Sequence, residues 1–303
     1  MGPTGAGKTD LAVAIVARLP LEIVSVDAAM VYRGMDIGTA KPSPALLERA
    51  PHHLIDLIDP AESYSAARFL ADAEAAMTDI ASRGRSPFLV GGTMLYFRAL
   101  QSGLACLPAA DDAIRRRLEE RASVEGWQAL HAELARLDPA AAARIRPGDR
   151  QRIQRALEVI ELTGAPISAQ QREDLRGAAS TADLRIVLAP ADRAGLNGRL
   201  SARFEEMMRR GLLEEVRGLH AREDLHPGLP SMRLIGYRQL WEHLEGGATL
   251  AAAAEKAVIA TRQLARRQLT WLRAEPDASW FDPLDPATPE RVAECIGRWL
   301  AGR

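Results

Sequence analysis

A chain of 303 residues, 47% hydrophobic and 26% charged, can bury a sizeable core in one large or two unequal domains. A net charge of −1 excludes a generally basic nucleic-acid binder, so any RNA contact has to come from a local patch. Cys106 and Cys295 stand alone without metal-ligand spacing and no apolar run reaches membrane-spanning length, which excludes a zinc cluster and leads to the expectation of a cytoplasmic protein with no membrane contact.

The first segment with chemistry is Gly2, Pro3, Thr4, Gly5, Ala6, Gly7, Lys8 and Thr9, which fits the phosphate-loop pattern G-x-x-x-x-G-K-[ST]. Glycines let consecutive N–H groups turn inward onto phosphate oxygens, Lys8 adds a compact charge, and the Thr9 hydroxyl is placed to ligate Mg²⁺. The run from Asp10 to Leu19 has helical spacing, so the loop opens a helix whose N-terminus favours anions. The chain holds three lysines, Lys8, Lys41 and Lys256, against many arginines, which marks Lys8 as a site wanting an ammonium rather than a planar fork. Such a loop normally follows a hydrophobic strand, and only Met1 precedes it here. An N-terminal truncation or misplaced start is therefore expected, with a cost in stability if the chain begins at this point.

Residues 21–27 read as a strand ending in Asp27, and 31–42 as a turn-rich loop. A short strand over 53–59, a helix over 63–83 and a strand over 87–90 follow; the last runs into Gly91-Gly92-Thr93 and a helix from Met94. Strands alternating with helices predict an α/β fold: a P-loop-type parallel sheet with flanking helices, its first strand absent from the chain. Ligands gather at the carboxyl ends of such strands, which puts the phosphate loop, Asp27 and Thr93 on one edge. From 108 to 179 strand signals vanish and charged helical patterns take over, predicting a helical insertion domain between core segments 1–107 and 180–303. The sheet resumes at 184–189, helices are expected over 196–208, 211–221, 236–244 and 250–272, and a proline-rich extended stretch over 275–290 leads to a last helix.

Asp27, facing bound phosphates, can serve as general base or metal contact, or simply as a loop carboxylate. Thr93 can serve the site or only cap a helix, and the glycines before it stand where many phosphate-loop ATPases hold a Mg²⁺-binding Asp. Two basic clusters, Arg144 to Arg155 and Arg262 to Arg273, read either as solvated helix faces or as phosphate contacts, with Trp271 and Tyr237 available for stacking. Residue chemistry alone therefore leads to a phosphate-loop transferase using Mg²⁺ with an RNA surface, and leaves the transferred group open. A small-molecule kinase and an RNA-binding module with a vestigial loop are the competing readings.

Read together, residues 2–9, 26–42, 90–96, 151–159, 233–239 and 260–273 resemble, in order and over nearly the whole chain, the tRNA dimethylallyltransferase (tRNA isopentenyltransferase) family of bacterial type. The resemblance implies transfer of a dimethylallyl group from dimethylallyl diphosphate to N6 of the adenosine immediately 3′ of the anticodon, in tRNAs reading codons that begin with U, with release of diphosphate. It implies that residues 2–9 hold the donor's diphosphate with Mg²⁺ on Thr9, that Asp27 is the base, and that Thr93 and Arg203 hold the diphosphate from the far side. Contacts to the tRNA anticodon stem-loop are implied for Asp27, Ala28, Ala29, Met30 and Thr93, for Arg115, and for Gln151, Arg152, Ile153, Gln154 and Arg155. Further contacts are implied for Arg233, Leu234, Ile235, Gly236, Tyr237 and Arg238, and for Arg266, Arg267, Gln268, Leu269, Thr270, Trp271, Leu272 and Arg273. A monomer is expected. The chain departs from the family at Ala28, where a serine is usual, so a hydroxyl contact to the base is absent; the zinc-finger extension of eukaryotic relatives is absent too.

Overall fold

In the computed structural model of the protein, the described residues are 1–105, 107–174, 183–275 and 277–302, and Cys106 lies outside them. The phosphate loop runs into α1 (Lys8–Val16), followed by β1 (Leu21–Val26), α2 (Pro44–Arg49), β2 (His52–His53), α3 (Ala66–Ser82), β3 (Ser86–Gly91) and α4 (Met94–Ser102). β1 is the central strand of a parallel sheet ordered β2-β1-β3, with Leu21 opposite Ser86 and Val26 opposite Gly91. Leu21, Ile23, Val24 and Val26 are all buried, as a strand covered on both faces requires. Ile23 packs with Ala12 of α1, and Leu21 with Ile15.

The predicted strand over 53–59 shortens to two residues. Leu54 (φ 65°) and Asp56 (φ 55°) adopt left-handed backbone that ends the ladder. The cause lies in Lys41, whose buried Nζ meets Asp56 Oδ1 at 2.6 Å, Asp36 Oδ1 at 2.5 Å and the Tyr32 carbonyl at 2.9 Å. That ammonium folds the chain around itself, satisfied by two carboxylates and a carbonyl.

α5 (Asp112–Glu125), α6 (Trp127–Leu137), α7 (Pro139–Ala142), α8 (Arg150–Thr163) and α9 (Ile167–Asp174) belong to a separate compact unit spanning residues 98–181. Its core includes Leu118, Leu130, Leu134, Ile153 and Val159. Glu158 is fully buried in this unit. Arg115 (Nε–Oε1 2.9 Å), Arg155 (Nη1–Oε2 2.7 Å) and the Asp111 N–H (2.8 Å) all donate to its carboxylate and offset the cost of burying the charge.

The first unit resumes with β4 (Ile186–Leu188), α10 (Arg193–Arg209), α11 (Leu212–His220), α12 (Tyr237–Leu244), α13 (Leu250–Leu272), β5 (Ser279–Phe281) and α14 (Thr288–Ala301). β4 and β5 pair in parallel, and both backbone groups of Met1 bond to β4: its N to the Ile186 carbonyl (2.8 Å) and its carbonyl to the Leu188 N–H (2.9 Å). α13 spans the predicted 250–272, opened by the Thr249 hydroxyl accepting from Ala252 N–H. A second core under α10–α13 holds Phe204, Leu212, Val216, Tyr237, Leu240 and Trp241. Among the described residues no helix is long and apolar enough to cross a membrane.

Candidate active site

The loop curls because Gly5 (φ 75°) and Gly7 (φ 73°) take left-handed backbone, which a side chain would strain. Pro3, which has no N–H, supplies a carbonyl instead, accepting from Ala6 N–H (3.3 Å) and from Lys8 Nζ (2.8 Å). No acceptor among the described residues takes the N–H groups of Gly5, Gly7, Lys8 or Thr9. Orphan donors at the start of a helix form an anion cradle. Burial pulls the Lys8 ammonium down to about 8; the negative charge of Asp27 opposes this and the positive charge of Arg203 adds to it. Arg203 is also lowered, chiefly by burial, against the pull of Asp27 and Asp10, and it makes no hydrogen bond to a described residue.

Asp27 and Thr93 stand at the carboxyl ends of β1 and β3. Thr93 N–H donates to the Val26 carbonyl (3.2 Å), and its Oγ1 accepts from Ala28 N–H (3.0 Å). The hydroxyl is therefore not spent on capping α4, and its own proton is free to donate. Asp27 Oδ1 accepts from Ala29 N–H (2.8 Å), which fixes the carboxylate and leaves Oδ2 without a described partner.

These groups line one cavity of about 790 Å³ that runs from Thr4–Asp10 past Asp27, Thr93 and Arg203 to Phe204, Met207 and Leu212, with Arg233, Arg267 and Trp271 also on its wall. One wall, the 36–41 loop, is carried by Glu215. Its carboxylate accepts from the N–H groups of Asp36 (2.9 Å), Ile37 (2.7 Å) and Gly38 (3.2 Å) and from the Tyr237 hydroxyl (2.5 Å). Burial and the adjoining Glu215 charge raise the Tyr237 phenol far above its usual range, so it stays a donor.

The family model for IPP transferase matches residues 30–275. This chain belongs to the IPP transferase family. It is 56% identical to a tRNA dimethylallyltransferase of Bordetella petrii over 99% of this chain and 96% of that protein, and 56% identical to one of Thioalkalivibrio sulfidiphilus over 95% and 90%. Among solved structures it is similar to the tRNA isopentenylpyrophosphate transferase of Bacillus halodurans (TM-score 0.70, 38% identity, 99% of this chain and 94% of that one). It is also similar to a eukaryotic dimethylallyltransferase acting on tRNA (TM-score 0.82, 25% identity, 100% and 78%).

Against the residues that the family resemblance implied, the structure draws distinctions. Thr4 to Thr9, Asp27 to Met30, Thr93, Arg203, Arg233 to Ile235, Tyr237, Arg267, Gln268 and Trp271 all line the cavity; buried Gly2 and Pro3 do not, and lie behind it. Arg238, Arg266, Thr270 and Arg273 are exposed, and Arg233, Arg238, Arg266 and Arg267 make no ion pair with a described residue. In the helical unit Gln151 and Arg152 are exposed, whereas Gln154 is partly buried, with its amide on the Arg115 carbonyl (3.1 Å).

Several of the side chains with an implied RNA contact have a structural role within the protein. Ile153, Tyr237 and Leu272 are fully buried and Leu269 is nearly so, because each is the inward position of an amphipathic helix. Gly236 is a buried helix N-cap, closed by Gln239. Arg115 and Arg155 are held by Glu158, Arg155 also by the Pro108 carbonyl (2.7 Å). The residues missed by sequence reading are the supports Glu215 and Glu158, acids with no sequence signal beyond a helical position.

Among the described residues no cluster of three or more His, Cys, Asp or Glu side chains could cage a metal. The donor set fits Mg²⁺ nonetheless. That ion keeps several waters and needs one or two protein oxygens beside substrate phosphates, and the cavity offers the Thr9 hydroxyl and the Asp27 carboxylate.

Proposed function

We propose that this chain transfers a dimethylallyl group from dimethylallyl diphosphate to N6 of the adenosine 3′ of the anticodon in tRNAs reading codons that begin with U. The observation that carries the reading is the single cavity joining an anion cradle to a fixed carboxylate and opening among arginines without acid partners. The N6–C1 bond forms as the C1–O bond breaks, and the electron pair of the latter leaves with diphosphate. The loop N–H groups, Lys8 and Arg203 hold that leaving group and stabilise its growing charge, and the Thr93 hydroxyl donates to it. Mg²⁺, held by Thr9, supplies further charge neutralisation when bound. Asp27 orients the adenine amine, a poor nucleophile, and accepts its proton through Oδ2.

Phe204, Met207 and Leu212 supply apolar wall for the prenyl tail. The target base leaves its stack to enter, at a cost of a few kcal/mol. Trp271, 38% exposed on the cavity wall, offers it a stacking face. Gln151 and Arg152 of the helical unit are proposed as additional RNA contacts. A monomer at work in the cytoplasm, where its RNA substrate is found, completes the proposed reading.

Incubation with labelled dimethylallyl diphosphate and unmodified tRNA is expected to label the tRNA and release diphosphate. Labelling of free AMP in place of tRNA, or phosphoryl transfer from ATP, would overturn the reading. The paired change Arg266→Ala with Arg267→Ala is expected to weaken tRNA binding and to lower the slope of log K against log salt by about one to two units. An unchanged slope in a filter-binding titration would remove both side chains from the RNA interface.

A further inference from the structure

β1 and β3 are locked to each other at their carboxyl ends through Thr93, which donates its N–H to Val26 and accepts from Ala28. The phosphate loop is tied elsewhere: Met1 bonds β4, and apart from the Thr4 N–H the remaining bonds of the loop stay inside it or run into α1. Among the described residues no hydrogen bond joins the loop directly to the ends of β1 or β3. One side chain bridges the gap. Gln268, on the inward face of α13 and 9% exposed, accepts from Thr4 N–H with Oε1 (2.8 Å) and donates from Nε2 to the Gly92 carbonyl (2.8 Å).

The fit there is tight. A Cβ on Gly92 would stand 2.6 Å from Gln268 Nε2 and 3.0 Å from the Gly2 carbonyl, so only a glycine lets strand end, loop and amide meet. Both ends of the amide are spent on backbone groups, which leaves the side chain little to offer an RNA.

We propose that Gln268 is a positioning residue, which sets the distance between the leaving-group site on the phosphate loop and the nucleophile site at Asp27 and Thr93. The inference rests on the prenyl-transfer reading, because only a displacement between two substrates needs those sites in line. Misplacement by about 1 Å can cost a reaction of this kind a factor of about 100. The amide is the sole hydrogen-bonded spacer found between the two sites among the described residues.

The test uses the full chain with dimethylallyl diphosphate and tRNA, measuring single-turnover rate at saturating substrates, tRNA affinity and thermal midpoint. Gln268→Leu, similar in size and without polar atoms, is expected to slow the saturated rate by about 30- to 100-fold with tRNA affinity within about threefold of wild type. Gln268→Glu keeps the acceptor for Thr4 and loses the donor to Gly92, so it is expected to fall between the two. Gly92→Ala is expected to cost less rate in a Gln268→Ala background, where its methyl has room, than in wild type.

A saturated rate within about threefold of wild type in Gln268→Leu overturns the proposal. So does a loss of tRNA affinity at unchanged saturated rate, which returns Gln268 to RNA contact. Should Gln268→Leu fail to fold, Gln268→Glu is judged by the same two criteria. Absence of labelled tRNA with the wild-type chain is the separate failure of the functional reading itself.

Discussion

Asp27→Ala is expected to slow transfer by about 10²- to 10⁴-fold, the usual worth of a positioned general base, with tRNA affinity little changed. The carboxylate lies at the end of β1 on the cavity wall with Oδ1 held by Ala29 N–H, which leaves Oδ2 as the oxygen to take up a proton. Asp27→Asn preserves this shape and the bond from Ala29 while removing the basic oxygen, and so separates proton transfer from packing. Its rate is expected to fall nearly as far as that of the alanine variant. Single-turnover labelling of tRNA, with binding measured in parallel, checks both. Unaltered turnover in either variant would show that the amine loses its proton elsewhere. Lost transfer with retained binding would dismiss a purely RNA-binding role for the chain. At Ala28 the N–H fixes Thr93, so the backbone there supports the site although the side chain offers no hydroxyl.

The second large effect is expected at Lys8. Lys8→Ala removes one positive charge from the leaving-group site and should lower kcat by about 10²- to 10³-fold, as loss of a preorganised donor to developing negative charge does elsewhere. Lys8 donates to the Pro3 carbonyl at 2.8 Å, and its ammonium keeps two further donors for diphosphate.

The pH dependence has a definite sign. With the ammonium pulled down to about 8, Lys8 carries its charge below that pH and loses it above, so kcat/KM for the donor is expected to decline as pH rises through about 8. Unfolding does not explain that decline through Lys8. The unfolded chain keeps the lysine proton up to the ordinary value of 10.5, so between about 8 and 10.5 it binds more protons than the folded chain. Stability from this group therefore rises with pH over the same window. In Lys8→Arg the charge persists, so the alkaline limb of the profile is expected to disappear, at a lower rate because a planar fork fits the loop poorly. A limb that survives in Lys8→Arg belongs to another group.

The positions of the loop, Asp27 and Thr93 are legible in the sequence because each sits at a junction of local patterns. Gly5 and Gly7 announce left-handed turns, Asp27 closes an apolar run, and Thr93 follows one. The bounds of α13 are legible for the same reason: Thr249 caps one end, and the inward positions Ala257, Ala265, Leu269 and Leu272 repeat at helical spacing. The strand expected over 53–59 fails because its apolar run carries no trace of the partner that bends it. Lys41, fifteen residues before Asp56, draws that carboxylate onto its ammonium and turns the backbone.

By itself, then, the sequence determined the α/β class, the anion cradle and the family, since these rest on residues close together in the chain or on whole-chain similarity. The tertiary structure alone decided which residues of a motif are exposed or line the cavity and which are held inside. Arg115 and Arg266 look alike in the sequence, yet one serves buried Glu158 and the other is exposed without an acid. Tyr237 and Trp271 are both aromatic residues of implied RNA segments on the cavity wall, yet one is fully buried with its hydroxyl spent on Glu215 and the other is 38% exposed. Gln268 lies 264 residues from Thr4 and 176 from Gly92, so its two bonds have no signature in local pattern. Which way a polar side chain turns depends on partners that packing brings from afar, and burial makes those partners obligatory.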